Sequence, residues 1–271
     1  MPYITGANDT QLYVKDWGEG RPVVLIHGWP LNADSWEYQA VKLAEAGYRV
    51  IAYDRRGFGR SEQPWKGYEY DTMSDDLAAV IKTLGLKDAL IAGFSMGGGE
   101  VARYMSRHDG KGVAQAALIS SIAPYMLKTD DNPDGAPADV FAGMKDGLRK
   151  DRQQFLMDFF ESFYGQGTKG VSDAVLRWSW QMAMMGSPKA TLDCVDAFGK
   201  TDLRPDMSAF DVPTLVVHGT GDETVPIDPT GRAAAKMIKS STLKEYDGAP
   251  HGLTATHADQ LANDFLSFLK S

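Results

Sequence analysis

Short, uninterrupted apolar runs alternate with amphipathic stretches over the first 120 residues, and this alternation constrains the fold more than any other feature. The runs from Val23 to Ile26 and from Val50 to Tyr53 have the composition of strands buried on both faces, as in parallel sheets. Further strands are predicted at residues 11–17, 89–92, 116–120, 214–217 and 243–246. The amphipathic stretches between them predict helices that cover the sheet. We therefore predict an α/β fold with a mostly parallel central sheet and flanking helices.

The alternation stops between about residues 121 and 211. This segment lacks clear strand patterns, and residues 155–163, 175–185 and 190–198 are amphipathic and rich in Met and aromatic side chains. Residues 129–137 are rich in Asp, Pro and Gly and predict a loop. We predict a core built from residues 1–120 and 212–271, with a helical cap inserted at residues 121–211.

Charge and cysteine content narrow the class of protein. The formal net charge of −8 on 271 residues argues against nucleic-acid binding, which usually needs a basic face. No apolar run approaches the roughly 18–20 residues needed to span a bilayer, and the first residues lack the pattern of a signal peptide. Cys194 is the only cysteine, which excludes an intrachain disulfide and a cysteine-based zinc site. We expect a cytoplasmic protein without membrane or nucleic-acid partners, cofactor or metal.

The segment from Gly93 to Gly97 matches the pattern G-x-S-x-G between a predicted strand and a helix predicted at residues 100–107. A serine on so tight a turn needs small neighbours on both sides, and it lies at a helix N-terminus that favours developing negative charge. Ser95 is therefore the predicted nucleophile. A phosphate-binding loop is the alternative, but no Lys-Ser/Thr follows and no G-x-G-x-x-G is present.

A serine nucleophile needs a base and an acid, which follow it in the order acid, then histidine, in this type of fold. His251 lies in the loop after the last predicted strand and is the predicted base, with His257 as the alternative. Asp222 leaves the preceding strand at its carboxyl end and is the predicted acid, with Asp228 as the alternative. Either aspartate has a structural explanation as a helix cap.

The oxyanion hole is predicted to use two backbone N–H groups. One belongs to Met96, the residue after the nucleophile. The other belongs to Trp29, in the loop after an early strand, because Pro30 has no N–H to donate. Pro30 also restricts Trp29 to an extended conformation and so fixes the direction of the Trp29 carbonyl.

With these residues assembled, the chain resembles the α/β-hydrolase superfamily, and within it the bacterial arylesterases and cofactor-free haloperoxidases, or perhydrolases. The resemblance covers essentially the whole chain. It rests on His27-Gly28-Trp29-Pro30, on the segments 54–61 and 93–99, and on Pro250-His251-Gly252. The segment 54–61 also has an explanation as a surface loop braced by glycines. Gly219-Thr220-Gly221-Asp222 departs from the more usual Gly-Asp-Gly-Asp without touching Asp222.

The resemblance implies hydrolysis of small, often aromatic, carboxylic esters, and peracid formation from a carboxylic acid and hydrogen peroxide. Halogenation is then indirect, through oxidation of halide by the peracid. The resemblance also implies a homo-oligomer, a trimer or a multiple of it, and associates Pro30 with perhydrolysis. The substrate-binding residues that it suggests are Pro30, Ile122, Met126, Phe159, Phe163, Phe198 and Val225.

Three alternatives remain open at this point. Lactonases and carbon–carbon bond hydrolases keep the same triad, and a hydrolase-like receptor keeps the fold without turnover. Dehalogenases and epoxide hydrolases of this fold carry aspartate at the elbow, where this chain has Ser95.

Overall fold

The computed structural model of the chain describes residues 2–165 and 170–271, which include an eight-stranded sheet. The strands are β1 (Tyr3–Thr5), β2 (Gln11–Trp17), β3 (Pro22–Ile26), β4 (Arg49–Tyr53), β5 (Ala89–Phe94), β6 (Val113–Ile119), β7 (Thr214–Gly219) and β8 (Ser241–Tyr246). Their order in space is β1-β2-β4-β3-β5-β6-β7-β8. The β1–β2 and β2–β4 pairs are antiparallel and the other pairs are parallel. The prediction of a mostly parallel sheet is therefore confirmed.

Helices flank this sheet and bury its central strands on both faces. The α-helices are α1 (Glu37–Glu45), α2 (Tyr70–Thr83), α3 (Met96–Arg107), α4 (Ala138–Phe163), α5 (Asp173–Met184), α6 (Pro188–Lys200), α7 (Ala233–Met237), α8 (Leu253–Thr256) and α9 (Ala258–Phe268). α2 packs against α3, and α1 packs against α9. Every residue of β5 is buried, which explains why its sequence is continuously apolar rather than alternating.

The segment between β6 and β7 carries α4, α5, α6 and a short 3₁₀ helix at Arg204–Ala209. Of the predicted cap at residues 121–211, residues 166–169 lie outside the described residues. α4 begins at Ala138, well before the predicted start near residue 155, and it bends at Asp151, whose backbone is not helical. Its first half is largely exposed, and only Phe141 and Leu148 are buried there. Among the helices of the described residues, none is long and apolar enough to cross a membrane.

The segment 54–61 is not a surface loop, contrary to one of the two interpretations. Asp54, Arg55 and Arg56 are at most 1% exposed. Arg55 forms an ion pair with Glu100 of α3 at 2.8 Å, and Arg56 forms one with Asp76 of α2 at 2.6 Å. Asp54 pairs with Arg60 of the same segment at 2.8 Å. Each buried charge therefore has a partner of opposite charge, and two of the pairs connect the segment after β4 to a helix.

Candidate active site

Ser95 occupies the turn between β5 and α3 with φ +53° and ψ −119°, a conformation that few non-glycine residues adopt. A Cβ on Gly93 would lie 2.2 Å from the Gly97 carbonyl oxygen, and one on Gly97 would lie 2.5 Å from the Ile26 carbonyl oxygen. Neither position has room for a side chain. The two glycines therefore let α3 start close enough to the sheet to hold Ser95 at its N-terminus.

A continuous series of hydrogen bonds connects Ser95 to His251 and Asp222. His251 Nε2 lies 2.9 Å from Ser95 Oγ, and His251 Nδ1 lies 2.7 Å from Asp222 Oδ2. The His251 ring packs between Phe94 and Phe163, with ring centroids at 5.2 and 4.8 Å. All three polar side chains are buried, so water competes little for these hydrogen bonds.

Backbone groups and a second histidine hold the Asp222 carboxylate. Asp222 Oδ1 accepts hydrogen bonds from Thr224 N–H at 3.0 Å and Val225 N–H at 2.7 Å. His218 Nε2 lies 3.3 Å from Asp222 Oδ2 and 2.8 Å from the Val225 carbonyl oxygen, so this nitrogen carries the hydrogen. Burial alone would raise the pKa of Asp222, but the charge of His251 and the hydrogen bonds from both histidines outweigh it and lower the pKa to about 2.

The two alternative residues lie elsewhere. Asp228 is largely exposed and pairs with Arg232 at 2.8 Å. His257 Nδ1 lies 2.9 Å from the hydroxyl of its neighbour Thr256. Neither residue lines the cavity that contains Ser95.

The loop after β3 brings the second predicted oxyanion donor close to Ser95. A Cβ on Gly28 would lie 3.0 Å from the Ser95 Cβ, so only glycine permits this approach. Among the described residues, the Trp29 N–H makes no hydrogen bond. Met96 is the first residue of α3, so its N–H has no partner within the helix.

Arg55 forms hydrogen bonds with His27, at the start of the loop after β3. Its guanidinium donates to the His27 carbonyl at 2.7 Å, and its backbone N–H donates to His27 Nε2 at 2.9 Å. Burial lowers the pKa of His27 well below its usual range, and the charge of Arg55 lowers it further. His27 is therefore a neutral structural residue.

Ser95 and His251 line a cavity of about 300 Å³. Six of the residues suggested for the oxyanion loop and the pocket line it: Trp29, Ile122, Met126, Phe159, Phe198 and Val225. The Trp29 ring packs against Phe159 at 5.2 Å and Phe198 at 5.6 Å, and so forms a shared aromatic wall.

Phe163 and Pro30, which the resemblance also suggested for substrate binding, are not among the residues that line this cavity. Phe163 is the last residue of α4, and its carbonyl accepts a hydrogen bond from Gly252 N–H at 2.9 Å. The Phe163 ring lies edge-on against His251. Pro30 is buried in the loop that follows Trp29, with a cis peptide bond between the two.

Sequence reasoning missed several lining residues: Ala136, Val140, Phe141, Met144, Ser162, Glu223 and Thr224. Four of them belong to the start of α4 or to the residues just before it. The sequence analysis did not predict a helix in this part of the chain. Glu223 and Thr224 directly follow Asp222 in the sequence, so their place in the cavity wall could have been predicted from that of the catalytic acid. No cluster of three or more potential metal ligands occurs among residues 2–165 and 170–271.

The family comparison agrees with this fold and geometry. A family model described as the alpha/beta hydrolase fold matches residues 21–258, and the chain belongs to this family.

Comparison with individual relatives narrows this assignment to one group within the family. The chain is 46% identical to a non-heme chloroperoxidase of Kitasatospora aureofaciens, over 99% of both chains. It is 41% identical to a bifunctional esterase/perhydrolase of Acinetobacter calcoaceticus, over the full length of both. The crystal structure of a bromoperoxidase from Bacillus anthracis superposes with a TM-score of 0.95 at 45% identity, over 99% of both chains. The resemblance to haloperoxidases and perhydrolases is confirmed.

Proposed function

We propose that the protein is a serine ester hydrolase that also forms peracids from carboxylic acids and hydrogen peroxide. In this proposal Ser95 is the nucleophile, His251 the general base and Asp222 the acid that orients it. The observation that carries the proposal is the hydrogen-bonded series, with 2.9 Å from Ser95 Oγ to His251 Nε2 and 2.7 Å from His251 Nδ1 to Asp222 Oδ2.

The first half of the reaction forms an acyl-enzyme. His251 Nε2 takes the proton of Ser95, whose oxygen attacks the ester carbonyl. The N–H groups of Met96 and Trp29 hold the oxyanion, and Asp222 stabilises the charged imidazole. His251 then gives the proton to the departing alcohol.

The second half decides which of the two products appears. Water on the acyl-enzyme gives a carboxylic acid, and hydrogen peroxide in its place gives a peracid. The names of the relatives, esterase/perhydrolase and haloperoxidase, support this dual outcome. Oxidation of halide then follows from the peracid in solution.

The cavity supports a small, uncharged substrate. Most of its lining is apolar or aromatic, and residues of α4 and α6 form part of its wall. We assign the segment 121–211 as a cap on the core for this reason. A wall of this kind favours the acyl or aryl group of an ester over a charged group.

We further propose that the chain forms a homo-oligomer, a trimer or a multiple of it, on the basis of the resemblance to its family. Light scattering coupled to size exclusion should give three times the 29.6 kDa of one chain, or a multiple of that mass. A monomer at micromolar concentration would contradict this proposal.

The deciding experiment is hydrolysis of p-nitrophenyl acetate by wild type, Ser95→Ala and Ser208→Ala, with a peracid assay after addition of acetate and hydrogen peroxide. Ser208 is an exposed serine far along the chain, in the short helix before β7, and serves as the matched control. We expect Ser95→Ala alone to lose both activities. Equal turnover in all three proteins would exclude Ser95 as the nucleophile, and hydrolysis without peracid would leave a plain esterase.

A further inference from the structure

Two thioether side chains lie in the wall of the cavity that contains Ser95. Met126 follows β6, and Met144 belongs to the first half of α4. Met126 is only 5% exposed. Both residues share the cavity of about 300 Å³ with Ser95 and His251. A reagent released from Ser95 is therefore formed in the same cavity as these two methionines.

We propose that Met126 and Met144 are sites of self-oxidation, each taking an oxygen atom from the peracid that Ser95 and hydrogen peroxide produce. This inference rests on the perhydrolase activity proposed above. The peracid O–O bond breaks and its terminal oxygen forms an S=O bond with the thioether. The hydrogen on that terminal oxygen moves to the carbonyl oxygen of the acyl group, which leaves as the carboxylic acid. The sulfur is thereby oxidised by two electrons and the peracid is reduced by two.

Confinement raises the rate of this reaction above that of the same peracid dissolved in bulk solvent. One peracid molecule in about 300 Å³ corresponds to a local concentration on the order of 5 M. A peracid that has left the cavity is diluted into the whole solution. The cavity methionines therefore experience a far higher oxidant concentration than any methionine on the surface.

The sulfoxide changes the chemistry of the cavity wall. Oxidation turns a flexible apolar side chain into a polar one. Substrates with apolar acyl or aryl groups then bind a wall that presents a strong hydrogen-bond acceptor. We expect the KM for such esters to rise as turnovers in peroxide accumulate.

The chain contains its own controls for this reaction. Met185 and Met237 are 42% and 40% exposed, and hydrogen peroxide in solution reaches them without any catalysis. Met73 and Met105 are buried at 0% and 1% exposure and do not line the cavity. Self-oxidation therefore predicts that oxidation dependent on Ser95 occurs at the cavity methionines only. Neither surface exposure nor burial alone would select these residues.

The test incubates wild type and Ser95→Ala with acetate and hydrogen peroxide, in buffer with excess free methionine that destroys released peracid. Peptide mass spectrometry follows the gain of one oxygen at each methionine. We expect Met126 and Met144 to be oxidised at least ten-fold faster in wild type than in Ser95→Ala. Met185 and Met237 should react equally in both proteins, and Met73 and Met105 should stay reduced.

A separate peracid assay without free methionine distinguishes the two ways in which the proposal can fail. Peracid formation without selective oxidation of Met126 and Met144 would overturn self-oxidation and leave the perhydrolase activity intact. Absence of peracid would overturn the perhydrolase activity and self-oxidation together. Equal oxidation of the cavity methionines in wild type and Ser95→Ala would assign it to hydrogen peroxide itself and would also overturn the proposal.

Discussion

The surroundings of Asp222 determine how the site keeps its negative charge. Two backbone N–H groups, the ring of His251 and the ring of His218 all face this carboxylate. Because strand β7 and the loops after β7 and β8 hold these groups before any substrate binds, the carboxylate does not need to reorganise during the reaction. The negative charge of Asp222 therefore depends on the backbone of its own loop as well as on the neighbouring histidine side chains.

Replacing Asp222 by Asn tests this role. The amide keeps the shape of the carboxylate but loses its charge, and its NH₂ group does not accept the Nδ1–H of His251. The imidazole then favours the tautomer that cannot take the Ser95 proton. We expect kcat for p-nitrophenyl acetate to fall by about 10⁴-fold near neutral pH.

Asp228→Asn is the matched control, because Asp228 pairs with Arg232 on the surface at 2.8 Å. It should keep the activity of wild type within a small factor. Similar losses in the two variants would contradict the assignment of the acid to Asp222.

The low pKa of Asp222 also predicts how stability depends on pH. The pKa is about 2 in the folded protein, compared with 3.8 for an unperturbed aspartate. A carboxyl group whose pKa is lower in the folded protein than in the unfolded chain stabilises the fold at any pH above the unfolded pKa. For Asp222 this stabilisation is about 2 kcal/mol. It is lost as the pH falls from about 4 towards 2. About 1 kcal/mol of it should be gone by about pH 3.

Urea unfolding of wild type and Asp222→Asn at about pH 5 and about pH 3 measures this effect. The free-energy difference between the two proteins should narrow by about 1 kcal/mol at the lower pH, since Asn does not titrate. A difference that does not change with pH would mean that Asp222 has an ordinary pKa in the folded state.

At the scale of elements, four strands supply the site from their carboxyl ends. Trp29 follows β3, Ser95 follows β5, Asp222 follows β7 and His251 follows β8. In parallel sheets these ends meet at one edge, where loops carry the working groups. Since the strands are fixed by hydrogen bonds to their neighbours, the selectivity of the site depends on the conformations of these loops.

Pro30→Leu tests the loop after β3. Leucine restores a backbone N–H and releases the restriction that proline places on Trp29, so the Trp29 carbonyl is no longer held in one direction. We propose that this carbonyl accepts a hydrogen bond from peroxide during attack on the acyl-enzyme. The ratio of perhydrolysis to hydrolysis should then fall in the variant, with less effect on ester hydrolysis in water alone.

The matched control is Pro133→Leu, in the exposed loop before α4. Both rates are measured at one peroxide concentration, from peracid formed and total acyl group released. The ratio in Pro133→Leu should equal that of wild type. An unchanged ratio in Pro30→Leu would exclude a role of this proline in the choice between peroxide and water.

At the scale of the whole molecule, the features that could be predicted from sequence are those encoded by neighbouring residues. The strand pattern and the G-x-S-x-G turn are local, and Asp222 and His251 follow strands in a known order. The structure places His251 within hydrogen-bond distance of both Ser95 and Asp222.

The cavity wall could not be predicted in the same way. Phe141 and Met144 line it because α4 starts early and bends at Asp151, and a weakly amphipathic helix gives no clear period. Phe163 has the right residue type, but its ring packs edge-on against His251 and does not line the cavity. Which face of a helix meets the cavity depends on contacts between distant parts of the chain.

Buried charge connects the site to the rest of the molecule. Arg55 at the end of β4 pairs with Glu100 of α3 and donates to the His27 carbonyl, so one guanidinium joins the sheet, the nucleophile helix and the oxyanion loop. The side chains of both ion-pair partners are at most 1% exposed. Removing one partner of a buried pair leaves the other charge uncompensated, which is strongly destabilising.

Arg55→Met should therefore lower the free energy of unfolding by about 3–5 kcal/mol, measured by urea denaturation, although methionine fills much of the same volume. Because the His27 carbonyl also loses its donor, the remaining folded protein should show a lower kcat for p-nitrophenyl acetate. Arg232→Met is the matched control, since Arg232 pairs with Asp228 and Glu245 at the surface and should contribute far less. Equal stability losses in the two variants would show that burial adds nothing to the Arg55 pair. A stable Arg55→Met protein with full activity would show that the oxyanion loop keeps its position without this residue.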